Sequence, residues 1–229
     1  MPEPDALIVV AKKPSPGQTK TRLCPPLTPV EAADLYACFL LDTLDTMRKV
    51  PGVRYTIGFL PEEEQEWFRQ LAPQMQLVCQ QGASLGERLD HLLTQALAGG
   101  STRAVVMDSD SPTLPACYLS QAFDRLTDSD VVLGPTQDGG YYLIGVKQPQ
   151  PHLLRQVQMS TPSVLADTLA LAEATGLTVS LLPAWYDIDT IDDLCQLDRE
   201  IAGIRENGNA AATRRWLAQI NWRDLGRST

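Results

Sequence analysis

The chain has 229 residues, is 44% hydrophobic and 21% charged, and carries a formal charge of −9. These proportions fit an ordinary globular protein with one sizeable core, while the acidic balance argues against a broad nucleic-acid face, which would have to be basic. No apolar run nears the roughly 18 residues of a membrane span, and no membrane partner is expected.

The run Ala6-Leu7-Ile8-Val9-Val10-Ala11 reads as a buried first strand. It leads into Lys12-Lys13-Pro14-Ser15-Pro16-Gly17-Gln18-Thr19-Lys20-Thr21-Arg22-Leu23, which holds four of the nineteen Lys and Arg residues. Cations gathered in a Pro/Gly loop at a strand end suit a polyphosphate, because backbone N–H groups and ammonium heads converge on its oxygens. A solvated surface loop is the plainer alternative. Thr28-Pro29-Val30-Glu31 then signals a helix start with a capping box, and the helix is expected to run to about Val50. Val53–Leu60 reads as a strand, about Glu62 to Leu71 as a helix, Leu77–Cys79 as a short strand, and Leu85 to about Leu97 as a helix ended by Gly99-Gly100.

The apolar strand Ala104–Met107 runs straight into Asp108-Ser109-Asp110-Ser111-Pro112. A helix near Ala116–Leu126, strands at Asp130–Gly134 and Tyr141–Val146, a helix at about Ser163–Thr175 and a strand at Leu177–Leu182 follow. Helical patterns at Ile191–Ile204 and Ala210–Ile220, separated by Asn207-Gly208-Asn209, close the chain. One domain is expected throughout, with a helical tail at about 205–229 that carries Trp216 and Trp222. That tail either packs on its own domain or forms a homodimer. Strands alternating with helices imply an α/β sheet with helices on both faces, and in such sheets ligands sit beyond the carboxyl ends of the strands. The basic loop and the Asp108 cluster both follow strands directly, which predicts that they share that rim.

Asp108 and Asp110 are two apart on extended chain, so their carboxylates project to one side. A hard divalent cation takes one or two carboxylates together with phosphate oxygens, so Mg²⁺ or Mn²⁺ fits; an Asx turn ahead of Pro112 fits equally. Gly134-Pro135-Thr136-Gln137-Asp138-Gly139-Gly140-Tyr141-Tyr142 reads either as a tight hairpin or as a loop over the substrate. In the second reading Asp138 is a base or acceptor ligand, and Gly139, Gly140 and Tyr141 line the pocket. Asp187 and Asp189 lie ahead of a helix, where Asp189 or Thr190 caps it or the segment adds a metal carboxylate. His91, in a helix, and His152, in a Pro-bounded loop, form no catalytic dyad. Five scattered cysteines without a C-x-x-C pair indicate neither a disulfide framework nor a zinc site. Buried thiols in a reducing cytoplasm are expected, and residues 1–11 lack the basic n-region of a signal peptide.

Taken together, Lys12-x-Pro14-x-x-Gly17-x-x-Lys20-Thr21-Arg22-Leu23, Gly82…Leu85-Gly86-Glu87-Arg88, Asp108-Ser109-Asp110-Ser111-Pro112, Gly134-Pro135…Asp138-Gly139-Gly140-Tyr141 and Asp187-Ile188-Asp189-Thr190 form a joint pattern. It resembles a bacterial family of uncharacterised glycosyltransferase-A-like proteins within the nucleotide-diphospho-sugar transferase superfamily. That family looks related to the phospholactate and molybdenum-cofactor guanylyltransferases. The resemblance spans about residues 6–200. It implies a three-layer α/β/α sandwich with a mostly parallel mixed sheet. It also implies nucleotide and phosphate contacts at Lys12, Gly17, Lys20, Thr21, Arg22, Gly82 and Arg88, and metal ligands at Asp108, Asp110 and Asp187. Many relatives have Asp-Cys-Pro where Asp110-Ser111-Pro112 stands here, and the Gly-rich G-x-G-x-R loop of sugar nucleotidyltransferases is replaced by the longer Lys/Pro loop. The expected function is metal-dependent transfer of a sugar from a nucleotide sugar to a small acceptor, with Lys20 and Asp138 as catalytic groups. The alternative is nucleotidyl transfer from a nucleoside triphosphate with release of pyrophosphate.

Overall fold

A computed structural model of the protein describes residues 4–203, 209–220 and 222. The rest of the tail expected at about 205–229, including Asn207 and Gly208, lies outside the described residues. The helices are α1 (Pro29–Met47), α2 (Gln65–Leu71), α3 (Leu85–Ala98), α4 (Ala116–Arg125), α5 (Pro151–Arg155), α6 (Val164–Ala174), α7 (Ile191–Gly203) and α8 (Ala211–Gln219). The strands are β1 (Asp5–Lys12), β2 (Val53–Leu60), β3 (Gln76–Cys79), β4 (Ala104–Met107), β5 (Val131–Pro135), β6 (Tyr141–Val146) and β7 (Val179–Leu181). By contacts the chain divides into two compact units, one of Met1–Lys13, Val50–Asp108 and Ala116–Tyr186, the other of Pro14–Lys49, Ser109–Pro115 and Asp187–Thr229.

The first unit holds the whole seven-stranded sheet, in the order β3-β2-β1-β4-β6-β5-β7. It is mostly parallel, and only β6 runs against its neighbours β4 and β5. Alternation along the strands sends Ala6, Ile8, Val106, Leu133 and Ile144 to one face, where they meet Leu89, Leu92 and Leu93 of α3, Leu153 and Leu154 of α5 and Ala172 of α6. The opposite face carries Phe59, whose ring centroid lies 5.4 Å from that of Phe68 on α2. Val105, Gly145 and Val132 share that face with Leu126, which follows α4. Helices therefore cover both sides, which is why β1 is apolar at nearly every position instead of alternating. The result is the mixed α/β architecture that the sequence predicts.

The strand order contains a switch point. From β1 the chain proceeds outward to β2 and β3, then returns to place β4 on β1's other side, parallel to it. The carboxyl ends of β1 and β4 consequently lie side by side, and this is where a sheet of this kind opens a crevice for ligands. Lys12 and Lys13 stand at the first of these ends and Asp108 at the second. Lys13 Nζ pairs with Glu64 at 2.7 Å, and the Asp108 N–H donates to the Tyr142 carbonyl at 3.0 Å.

In the second unit, α1 opens with the predicted capping box. The Glu31 N–H donates to Thr28 Oγ1 at 3.2 Å, and the Thr28 N–H donates to Glu31 Oε2 at 2.7 Å. The tail helix α8 packs on α1 of its own chain and starts differently, at Ala210 in the left-handed region (φ 64°) without a side-chain cap of its own. Its N–H groups at Ala212 and Thr213 donate instead to Asp42 of α1, each at 2.8 Å, and the Thr213 hydroxyl adds a third bond at 2.6 Å. Asp42 is 2% exposed. Burial raises its pKa above the usual carboxylate value, although these three donors pull the other way. Trp216 and Trp222 are buried.

Three expectations need correction. The helix foreseen from Glu62 begins as a 3-10 turn, Glu62–Glu64, and becomes α2 only at Gln65, 3-10 turns being frequent at helix N-termini. His152 sits not in a loop but in the short α5, which Pro151 initiates. The cysteines are free but none is fully buried, and Cys117 on the first turn of α4 is exposed. Among the described residues no helix is long and apolar enough to cross a membrane.

Candidate functional site

Residues from three separate stretches of the second unit converge on one ammonium group. After Gly17 the basic loop folds back on itself, with Thr19 Oγ1 donating to the Ser15 carbonyl at 3.1 Å and the Gln18 N–H donating to the same oxygen at 3.0 Å. Lys20 follows in the left-handed region (φ 49°) and heads a 3-10 turn, Thr21–Leu23. A lysine there costs roughly 1–2 kcal/mol of backbone energy, so the surrounding contacts must hold it.

Those contacts are ionic. Lys20 Nζ lies 3.0 Å from Asp110 Oδ2 and 2.8 Å from Asp189 Oδ1, and Arg22 Nη1 approaches Asp189 Oδ2 at 3.4 Å. The Lys20 side chain is 6% exposed, whereas Asp110 and Asp189 are 30% and 41% exposed and Arg22 is 75% exposed. The backbone ties the two acidic stretches together, with the Ile188 N–H donating to the Asp110 carbonyl at 3.1 Å. Beside Asp110, Ser109 Oγ and the Tyr36 hydroxyl of α1 share a buried hydrogen bond of 2.9 Å. Burial alone would lower the pKa of Lys20, but Asp110 and Asp189 outweigh it and hold the ammonium above its usual range. Burial likewise pushes Asp189 up, and Lys20 and then Arg22 more than reverse that shift.

This pairing carries a pH dependence. A carboxyl whose folded pKa is depressed adds stability above its unfolded value, near 3.8, and loses it as the pH falls through the folded value. Lys20 works in the opposite sense: its contribution is complete below about 10.5 and is lost as the pH climbs through the raised folded value. Asp189→Asn should therefore flatten the acid limb of the melting temperature, measured by calorimetry between about pH 6 and pH 2, and leave the neutral plateau nearly flat. An unchanged acid limb would dissociate Asp189 from the ammonium in solution.

The expected sites are distributed as follows. Lys20, Thr21, Arg22, Gly17, Asp110 and Asp187 belong to the second unit; Lys12, Gly82, Arg88, Asp108, Asp138, Gly139, Gly140 and Tyr141 belong to the first. The carboxylate on Lys20 from the last acidic stretch is that of Asp189, two residues beyond the expected Asp187. The reason lies at α7. Thr190 and Asp193 form their own reciprocal cap, in which Asp193 Oδ2 accepts from the Thr190 N–H at 2.7 Å and the Asp193 N–H reaches Thr190 Oγ1 at 3.3 Å. Asp189 is thereby spared the capping role, and the Thr190-x-x-Asp193 spacing was the signal that could have revealed it.

Within the first unit, the segment between β5 and β6 is a hairpin, as one of the two readings has it. Asp138 Oδ1 accepts from the Thr136 hydroxyl and from the Gly140 N–H, the latter at 3.1 Å. Gly139 has φ 92°, and a Cβ there would lie 2.0 Å from the Pro162 carbonyl oxygen, so only glycine fits. The Tyr141 hydroxyl meets Met159 Sδ at 3.5 Å, and burial pushes its pKa up to about 12. Arg88, on the first turn of α3, lines a cavity of about 490 Å³ with Ser84, Arg155, Met159 and Ser160. Arg155 is held there by Asp90 at 2.6 Å.

Two oxygen donors that already share one cation suit a hard divalent ion such as Mg²⁺ or Mn²⁺ when phosphate and water complete its shell. Among the described residues no group of three or more His, Cys, Asp or Glu residues forms a metal site unaided. Asp110 and Asp189 share the Lys20 ammonium in this way; of the three carboxylates that the resemblance implies as metal ligands, Asp110 is one.

The family described as "Uncharacterized protein conserved in bacteria (DUF2064)" matches residues 43–161. A candidate nucleotide-diphospho-sugar transferase of Desulfovibrio desulfuricans G20, known from its crystal structure, is 31% identical, with a TM-score of 0.90 over 99% of this chain and 98% of that one. The fold is similar to that of CMP:2-keto-3-deoxy-manno-octonic acid synthetase complexed with CTP, at 11% identity and TM-score 0.58 over 87% and 99% of the two chains. It is also similar to that of Rv0371c from Mycobacterium tuberculosis in complex with manganese, at 16% identity and TM-score 0.53 over 86% and 98%. No curated protein sequence matches the chain.

Proposed function

The chain belongs to the bacterial family DUF2064, and from that premise we propose that it is a metal-dependent transferase acting on a nucleotide sugar and a small acceptor. One observation carries the reading: a buried lysine, a neighbouring arginine and two carboxylates are gathered at a single point beyond a basic loop. In the reading, Arg22 and Lys20 bind the diphosphate, and Asp110 and Asp189 hold Mg²⁺ or Mn²⁺. When bound, that ion supplies charge stabilisation to the departing diphosphate. Lys20 adds a fixed positive charge where negative charge accumulates, and its burial strengthens that effect because little water screens it. Thr21 and Gly17 shape the loop around the phosphates. Lys12, Gly82 and Arg88 are assigned to the nucleotide, with Asp108 supporting the acidic strand end. Gly139, Gly140 and Tyr141 are assigned to the acceptor side. Asp138 is assigned as the base on the acceptor side, with its Oδ1 held by the Thr136 hydroxyl and the Gly140 N–H.

A second reading, nucleotidyl transfer with release of pyrophosphate, is favoured by the fold it shares with the CTP-bound synthetase. Both readings use the same cationic cluster, and the ligand decides between them. Thermal melting with a panel of nucleoside triphosphates and nucleotide sugars, with and without Mn²⁺, is the test. Stabilisation by nucleotide sugars and release of a nucleoside diphosphate on turnover support sugar transfer. Stabilisation by triphosphates alone, with pyrophosphate produced, replaces it by the second reading, and no stabilisation by any nucleotide removes both.

A further inference from the structure

We propose that Lys20 is a built-in stand-in for the divalent cation: its ammonium holds the ground where Asp110 and Asp189 converge, and it gives up that ground only when a nucleotide's phosphates offer it a new partner. The inference rests on the phosphate-binding reading above for the second half of that exchange, and on geometry alone for the first.

Three observations carry it. The ammonium sits within 3.0 Å of both carboxylates, at the point where a shared cation would have to bind them. The four charged groups of the cluster, Lys20, Arg22, Asp110 and Asp189, sum to zero. A divalent ion arriving alone therefore meets a neutral set and gains little, whereas one arriving with a polyphosphate brings the negative charge that allows all the cations to stay. Finally, Lys20 occupies its place with a left-handed backbone, a strained conformation that the two ion pairs hold, so releasing the pairs allows the loop to relax. Cation and nucleotide binding should then be coupled, each raising the other's affinity by the same factor.

The direct test is Mn²⁺ binding without nucleotide, followed by the electron paramagnetic resonance of the free ion. Lys20→Met, having lost the competing ammonium, should bind Mn²⁺ about tenfold more tightly than the wild-type protein, within the range usual for coupled sites. Asp110→Asn in the Lys20→Met background should lose the gain. A Lys20→Met protein that binds Mn²⁺ no more tightly than wild type overturns the proposal. Should that variant fail to fold, ¹⁵N-lysine spectra of the wild-type protein take its place. Mg²⁺ alone at millimolar concentration should leave the Lys20 ammonium signal in place, whereas Mg²⁺ with ATP, GTP, CTP or UTP should move it. Displacement of the signal by Mg²⁺ alone sinks the idea. If Lys20→Met tightens Mn²⁺ binding while no nucleotide stabilises the protein, the stand-in survives and the transferase reading fails. If nucleotides bind but Mn²⁺ affinity is unmoved by the substitution, the reverse holds.

Discussion

Asp110→Asn should reduce turnover by about a thousandfold, several kcal/mol of transition-state stabilisation, while leaving the fold intact. The substitution changes one oxygen to an amide nitrogen and keeps the shape. The Asp110 carbonyl still accepts from Ile188, and Ser109 still meets Tyr36. Lys20 retains Asp189 at 2.8 Å, so its ammonium is not stranded, and the stability cost should stay near about 1 kcal/mol for a carboxylate that is partly solvated. What disappears is the negative oxygen that would help hold a divalent ion. The measurement is initial rate on whichever nucleotide stabilises the protein, alongside melting of the ligand-free variant. Turnover within tenfold of wild type would remove Asp110 from the reaction.

Gly86→Ala should be a severely damaging single-methyl addition. In a helix the exchange ordinarily favours alanine by roughly 1 kcal/mol. Here the new Cβ would lie 1.8 Å from the Leu154 carbonyl oxygen and 2.9 Å from its carbon. Both are backbone atoms of α5, which cannot swing away as a side chain could. One of the two helices must therefore move, at a net cost of about 3 kcal/mol and a fall in melting temperature of roughly 6–12 °C. Gly203, at the end of α7, is the control: among the described residues nothing lies within 4 Å of its Cβ position, and Gly203→Ala should change stability by less than about 1 kcal/mol. The pair also separates packing from ligand contact. Gly86 lies in the same short motif as Arg88, and lost nucleotide affinity in Gly86→Ala would follow from displacement of the α3 amino terminus.

These two residues illustrate what could be read in advance. Local signals were strong where chemistry and periodicity agreed: the β-branched runs of β2 and β4, the Thr28–Glu31 box, and the Gly99-Gly100 stop marked their elements closely. The pairing of β6 against β4 was not legible, since an apolar strand carries no mark of its direction. The choice between Asp187 and Asp189 was hidden for a similar reason. The two carboxylates stand two positions apart, and the cap made by Thr190 and Asp193 leaves Asp189 to pair with Lys20. Gly86 looked like part of a ligand motif, yet what fixes it is a helix 68 positions downstream in the chain, at Leu154.

The bonds that Asp42 accepts from Ala212 and Thr213 span 170 and 171 positions of sequence. During synthesis, Asp42 emerges long before its donors exist, and until then water alone can solvate its charge. This flank of α1 must stay hydrated until Ala212 and Thr213 have been made, so sealing it waits on a segment far along the chain. A nascent chain stalled anywhere upstream of Ala212 would present an open, wet seam where the finished protein has a closed one.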